Sequence, residues 1–212
     1  MVTIAKLWTK TGGLSDPSKM PGFAWSIPSK KCKRGSALRK IPGTVCYMCF
    51  ACKGRYVFDN VQNALAKRLA NYLADPLAWQ NAMVQLLWRK ALNRSEYFRW
   101  FDSGDVQSVE MLIRIGQIAK KIPVMKFWLP TRELGMVREA MRRGWKKPDN
   151  LCIRISEDMV GKVKGDCGFP TSSVDANEGW LCPASRGEVT CAQANCYRCW
   201  DETVENVDYK GH

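Results

Sequence analysis

Eight of the ten cysteines fall into two groups whose spacing lets thiolates converge on one soft ion. The first reads Cys32-x13-Cys46-x2-Cys49-x2-Cys52 and the second Cys182-x8-Cys191-x4-Cys196-x2-Cys199. Short Cys-x2-Cys steps suit structural zinc or an iron–sulfur cluster. The competing reading is a disulfide framework. Disulfide-dense chains are usually secreted domains below about 80 residues that lack a sufficient core. This chain has 212 residues and 46% hydrophobic content, enough to bury one. Its first ten residues hold no apolar run suited to a signal segment, and no stretch reaches the roughly 18 apolar residues of a membrane span. A reducing cytoplasm is the expected compartment, with thiols acting as ligands and no membrane partner. Of the other two cysteines, Cys152 lies in an apolar run and reads as a buried thiol, while Cys167 has no assignment.

Histidine sets the next bound. The single one, His212, is the final residue and reads as a frayed end. Ser-His-Asp and Cys-His hydrolysis, zinc-protease and zinc-deaminase chemistry are thereby excluded. Acid–base work falls to Asp, Glu, Lys or Tyr. Charge gives a third bound: 33 Lys and Arg stand against 20 Asp and Glu, a net +13. Such a surplus favours a polyanionic partner, so DNA, RNA or a nucleotide is expected, although no recognised binding motif accompanies it. The basic residues cluster at Lys30-Lys31-Cys32-Lys33-Arg34, at 142–147 and at Lys162 and Lys164.

The elements that must position these residues repeat a pattern. Phe23–Ile27 is a candidate first strand leading into the cysteine loop at 32–52. Val61, Leu65, Leu69 and Leu73 recur at helical spacing, and Asp75-Pro76 reads as an N-cap with a proline at N1, opening a second helix through Ala91. Then apolar runs end in polar clusters three times. Tyr97–Phe101 ends in Asp102-Ser103-Gly104-Asp105, Val124–Leu129 in Pro130-Thr131-Arg132-Glu133, and Leu151–Ile155 in Ser156-Glu157-Asp158. Amphipathic stripes, one of Met111, Ile115, Ile118 and Ile122 and one of Val137, Ala140 and Met141, separate them. Strand-then-helix units of this kind argue for parallel strands in βα units. Ligands in such folds bind at the C-terminal strand ends, where all three clusters lie. Each cluster alone also reads as a turn or a helix cap. A short strand is expected at Thr171–Asp175, before the second cysteine group.

Several segments, together spanning nearly the whole chain, carry a family resemblance. Gly22–Pro28 with Cys32 and the Cys46–Tyr56 stretch, then Phe98–Ser108 and Phe127–Glu133, resemble the phage gene product 88 family. Cys182-Pro183-Ala184, Cys196–Trp200 and Val207–His212 are similar to the family's ending. The family pattern implies Cys32, Cys46 and Cys49 as a ligand set, with Cys52 as an extra. A further similarity, of arrangement alone, is to phage proteins of the radical S-adenosylmethionine group, which are built on full or partial βα barrels. Cys46-x2-Cys49-Phe50-Ala51, Asp102–Asp105 and Leu129–Arg132 follow in the same order there. The radical signature C-x3-C-x2-C is absent from this chain.

Together these readings predict an α/β fold: a partial (βα) barrel with parallel strands, resembling radical S-adenosylmethionine enzymes, over residues 1–181. A cysteine-rich metal-binding segment, 182–212, packs on it. Cys32, Cys46 and Cys49, with or without Cys52, would hold a [4Fe–4S] cluster. Cys182, Cys191, Cys196 and Cys199 would hold a second [4Fe–4S] cluster or zinc. Asp102, Asp105, Arg132 and Glu157 are the candidate catalytic residues, and Ser103, Thr131 and Arg154 the candidate cofactor contacts, with S-adenosylmethionine as the implied cofactor. An acidic group would hold its ribose or amino group and an arginine its carboxylate. Two other classes fit the same residues: a non-enzymatic, metal-stabilised nucleic-acid-binding protein, and a magnesium nuclease using Asp102, Asp105 and Glu157.

Overall fold

A computed structural model describes residues 2–187 and 189–211. His212 lies outside the described residues. The chain forms helix α1 (Ile4–Thr11), strand β1 (Ala24–Trp25), a short helix α2 (Lys33–Leu38) and the helices α3 (Asp59–Ala74) and α4 (Pro76–Leu86). It continues with β2 (Tyr97–Trp100), α5 (Val109–Lys121), β3 (Lys126–Thr131), α6 (Leu134–Arg142) and β4 (Leu151–Ser156). Then come β5 (Thr171–Val174), β6 (Trp180–Leu181), α7 (Pro183–Arg186) and β7 (Asn206–Tyr209).

Local chemistry sets the boundaries. The Asp75 side chain accepts from the N–H groups of Leu77 and Ala78 with Pro76 at the first helical position, so α4 starts where the sequence predicts. The Ser108 hydroxyl caps α5 by accepting from Met111 N–H at 3.1 Å. Helix α4 does not run unbroken to Ala91; Leu87–Ala91 widen into one π-helical turn.

All seven strands are parallel, in the order β1-β2-β3-β4-β5-β7-β6. Order and sequence agree through the first five strands. With right-handed crossovers, that monotonic order puts the connecting helices on one face, as in a barrel opened along one side. Packing agrees. Phe98, Trp100, Phe127, Leu129, Leu151, Ile153 and Ile155 share one core with Met111, Ile115 and Ile118 of α5 and with Val137 and Ala140 of α6. Burying each such side chain contributes about 1.5–3 kcal/mol, so this face carries most of the sheet's stability. The expected α/β architecture with parallel strands is present, and its open curve is compatible with a partial barrel.

The alternate residues point to the other face. Tyr97, Arg99, Trp128 and Arg154 lie there, and the chain's last thirty residues cover them. Tyr197 stacks on Tyr97 at 4.5 Å, and Trp200 meets Trp128 edge-on at 5.3 Å. The C-terminal segment is also woven into the sheet, because β7 runs between β5 and β6. No described helix is long and apolar enough to cross a membrane.

Candidate functional site

The C-terminal ends of β1 to β4 meet the front cysteine loop. Gly104, at φ +85°, permits the close approach: a Cβ there would lie 2.3 Å from Ile27 Cγ1 and 2.7 Å from Ile27 O, so any side chain would push the ends of β1 and β2 apart. The Ser103 hydroxyl, expected at a cofactor, donates to Ile27 O at 3.0 Å and ties the same two ends. Phe101, just past β2, holds a left-handed backbone at φ 54°, with its ring buried 5.9 Å from Trp25. That fixes the exit direction of the Asp102–Asp105 turn.

Asp105 is the hub of this end. Its carboxylate accepts from Thr131 Oγ1 at 2.6 Å, from Arg132 N–H at 2.9 Å and from Val106 N–H at 2.7 Å. Burial pushes its pKa up to about 6, against the lowering effect of those bonds. Thr131 in turn accepts from Glu133 N–H at 3.0 Å, which fixes the turn leading into α6. Asp102 accepts from the Tyr56 hydroxyl at 2.9 Å through one carboxylate oxygen, and its other oxygen is buried without a hydrogen-bond partner among the described residues. Arg132 donates to Glu157 O at 3.1 Å, while its buried Nε lies 3.7 Å from Asp158 and has no hydrogen-bond partner among the described residues. Glu157 accepts from the N–H groups of Asp158 and Met159 and pairs with Lys164 at 3.5 Å. Arg34 forms an ion pair with Asp158, and its backbone N–H donates to Glu133 at 2.8 Å, which fastens the cysteine loop to these strand ends.

The front thiols lie over this cluster. Burial raises the Cys32 thiol, and the negative charges of Asp105, Cys46 and Cys49 raise it further. Burial also raises Cys46, opposed by the positive charge of Arg132; burial and the neighbouring Cys52 raise Cys49. The Cys52 sulfur sits 3.3 Å from the Ser29 hydroxyl. Gly35 makes room for the pair at the centre: a Cβ there would lie 3.0 Å from Cys32 Cβ, 3.4 Å from Cys46 Sγ and 3.7 Å from Cys32 Sγ. A bare backbone therefore lets both sulfurs crowd one side of α2.

The second cysteine group has a different setting. Cys182 and Cys199 are buried with Trp128, Trp200 and Val207, and Cys191 packs against them. Burial pushes Cys199 up to about 12, with the charges of Cys182 and Cys191 adding to it while the Tyr209 hydroxyl, 3.1 Å away, counters. Burial, then Cys182 and Cys196, push Cys191 up to about 11. Cys191 and Cys199 thus both lie within reach of the charge of Cys182. Arg154, expected at a cofactor, belongs to this region instead. It is fully buried, and its guanidinium donates to the carbonyls of Thr171, Val204, Arg198 and Asp201 at 2.8–3.2 Å. Arg154 therefore clamps the turn that carries Cys199.

All ten cysteines are free thiols, and Cys152 is buried as expected. Among the described residues no three His, Cys, Asp or Glu side chains are gathered closely enough to hold a metal ion as they stand. Comparison with known proteins gives one match: the family model described as gene product 88 covers residues 3–162. The chain belongs to the gene product 88 family. No curated protein and no solved structure matches it. The gene product 88 match includes the whole front loop and the strand ends of β1 to β4, so the resemblance read from the front motifs is borne out. It stops before the second cysteine group, and the similarity read from Cys182 onward lies beyond it.

Four residues outside the sequence-predicted set belong to this gene product 88 site: Tyr56, Arg34, Gly35 and Asp158. Arg34 stood within a basic run and Asp158 within a strand-end cluster, but nothing in the sequence pairs them. Tyr56 follows the last front cysteine closely enough to have been a candidate acid. Only the structure brings it to Asp102.

Proposed function

We propose that this protein is an iron–sulfur enzyme of the radical S-adenosylmethionine kind, with its working centre at the mouth formed by the front loop and the ends of β1 to β4. Cys32, Cys46 and Cys49 would hold a [4Fe–4S] cluster there, leaving one iron open, and Cys52 stands beside the Ser29 hydroxyl as an extra thiol. Cys182, Cys191, Cys196 and Cys199 would fully ligate a second centre, [4Fe–4S] or zinc. When bound, the front cluster supplies an electron to a ligand held at its open iron.

The observation that carries this reading is the pairing of two orphaned polar atoms beneath the front thiols. Just past the ends of the neighbouring strands β2 and β3, Asp102 offers a buried acceptor oxygen and Arg132 a buried donor nitrogen; neither has a hydrogen-bond partner among the described residues, and Arg132 Nε has only a long ion-pair contact, 3.7 Å, to Asp158. Buried polar atoms are rarely left unpaired in a finished site. An amino-acid moiety, with an ammonium and a carboxylate, satisfies both at once, and S-adenosylmethionine carries one. The donor set fits a cluster as well. Burial that raises three neighbouring thiols disfavours their charged forms, and a cation among them would reverse that cost. Binding requires the loop to draw its thiols inward, and Gly35 is where it would close. Asp105, whose pKa is raised to about 6, holds a proton in mildly acidic solution and releases it toward neutrality.

The test is S-adenosylmethionine binding by calorimetry to protein reconstituted without oxygen, beside the Asp102→Asn and Arg132→Met variants. Binding that each variant weakens tenfold or more supports the proposal; no binding to cluster-loaded protein overturns it. A second reading, a non-enzymatic nucleic-acid-binding protein with zinc in both cysteine groups, draws support from the basic front loop and requires zinc without sulfide.

A further inference from the structure

We infer that the exposed surface of residues 30–58 docks single-stranded nucleic acid, RNA or DNA, across the mouth of the half-barrel. The inference deepens the reading above by naming the partner of that same site. Residues 17–58 hold nine Lys and Arg and no Asp or Glu, which leaves 24 basic against 20 acidic residues in the rest of the chain. Most of the net charge is thus concentrated in the loop that carries the front thiols.

Local acids neutralise little of it. Arg34 pairs with Asp158, and Arg39 donates to Ser29 O at 3.1 Å. Lys30, Lys31, Lys33, Lys40, Lys53 and Arg55 are exposed, with no ion pair among the described residues. Large apolar side chains stand between them. Tyr47 is 49% exposed, Met48 50% and Phe58 57%. A basic face kept only for solubility gains nothing from half-exposed aromatic rings, because each forfeits burial that the core would supply. Cations that track a phosphate backbone, interleaved with rings on which bases stack, are the recognition chemistry of single strands.

Shape disfavours major-groove readout of a duplex. The loop consists of α2, six residues long, and three short 3-10 turns, so it presents neither a long helix nor a β-ribbon to a major groove. The pieces form one surface: the Ser29 hydroxyl donates to Ala51 O at 3.0 Å while Ser29 O accepts from Arg39, joining the first turn to the second and to the end of α2. A strand lying there would cross the outer side of the loop whose thiols face Asp105 and Arg132.

The experiment is fluorescence anisotropy on protein purified without oxygen. Labelled RNA and DNA single strands of about 16 nucleotides are compared with the matching duplexes between about 50 and 200 mM salt. Iron is measured on the same samples. Single strands should bind at least tenfold more tightly than duplex. The Lys30→Glu/Lys31→Glu pair should weaken binding tenfold or more and reduce the salt slope by about 1.4. Phe58→Ala should weaken it about fivefold or more with the slope unchanged. Equal affinity for duplex, indifference to both variants, or adsorption only to anionic phospholipid vesicles would overturn the inference. Binding lost with iron retained removes the inference alone; binding retained without iron removes the enzyme reading alone.

Discussion

Cys46 and Cys199 are both 8% exposed, yet their surroundings have little in common. Cys46 is reached by the charges of Arg132, Asp105 and Asp158, at the C-terminal strand ends. Cys199 is held against Trp128, Trp200 and Tyr209, in a turn whose carbonyls Arg154 grips. The first setting can exchange ligands and protons. The second can only hold its shape. Under the proposed function the two cysteine groups would do different work, the front one chemistry and the rear one closing the far face of the sheet.

The comparison breaks most readily at Arg154. Arg154→Met leaves three carbonyls of the rear segment, and that of Thr171 in β5, without this donor, and hydrogen bonds to a charged group are worth about 1.5–3 kcal/mol each before compensation. The variant should lose about 3–5 kcal/mol in urea unfolding. A loss below about 1 kcal/mol would mean the rear segment does not depend on this clamp.

Asp105 gives the next largest effect, through pH. Its folded pKa, about 6, lies above the ordinary carboxylate value near 3.9, so the folded protein binds this proton more tightly than the unfolded chain does. Metal-free protein should therefore lose about 3 kcal/mol as pH rises from about 4 to 6 and level off above. Asp105→Asn should flatten that part of the melting profile. An unchanged profile would assign the loss to other groups.

Smaller effects separate the two cysteine groups directly. Cys199→Ala should cost about 1–2 kcal/mol by thermal melting of metal-free protein, because the sulfur fills a packed aromatic site, whereas Cys46→Ala should cost under about 1 kcal/mol. Equal costs would erase the contrast. Gly35→Ala should change stability least, since a helical alanine is favoured by up to about 1 kcal/mol over glycine. Its crowding of Cys32 and Cys46 should nonetheless reduce iron incorporated at the front site. Full incorporation would remove Gly35 from the account.

Much of this architecture was readable in the sequence. Apolar runs such as Phe127–Leu129 and Leu151–Ile155, bounded by polar clusters and separated by helical stripes, mark buried parallel strands directly. The last three strands were harder. Thr171–Val174 and Asn206–Tyr209 are short and polar, held by buried bonds such as Ser173 to Asp208 and Asn206 to Ser173, so β5 showed only as a brief run and β7 not at all. At the site, residue types identified Asp102, Asp105 and Arg132 as a group. They did not identify Tyr56 or Gly35, which act through contacts 46 residues away and through the absence of a side chain. Arg154 was the hardest to read. An arginine inside an apolar strand signals burial, but its partners are backbone carbonyls, and carbonyls leave no mark in a sequence.

The most direct test of the central contrast is iron and acid-labile sulfide per chain, measured on protein purified without oxygen and on its Cys46→Ala variant. The account predicts that the variant stays folded and loses about four irons and four sulfides, while the metal of the rear group remains. Iron and sulfide unchanged by the substitution, or zinc alone in both proteins, would contradict it.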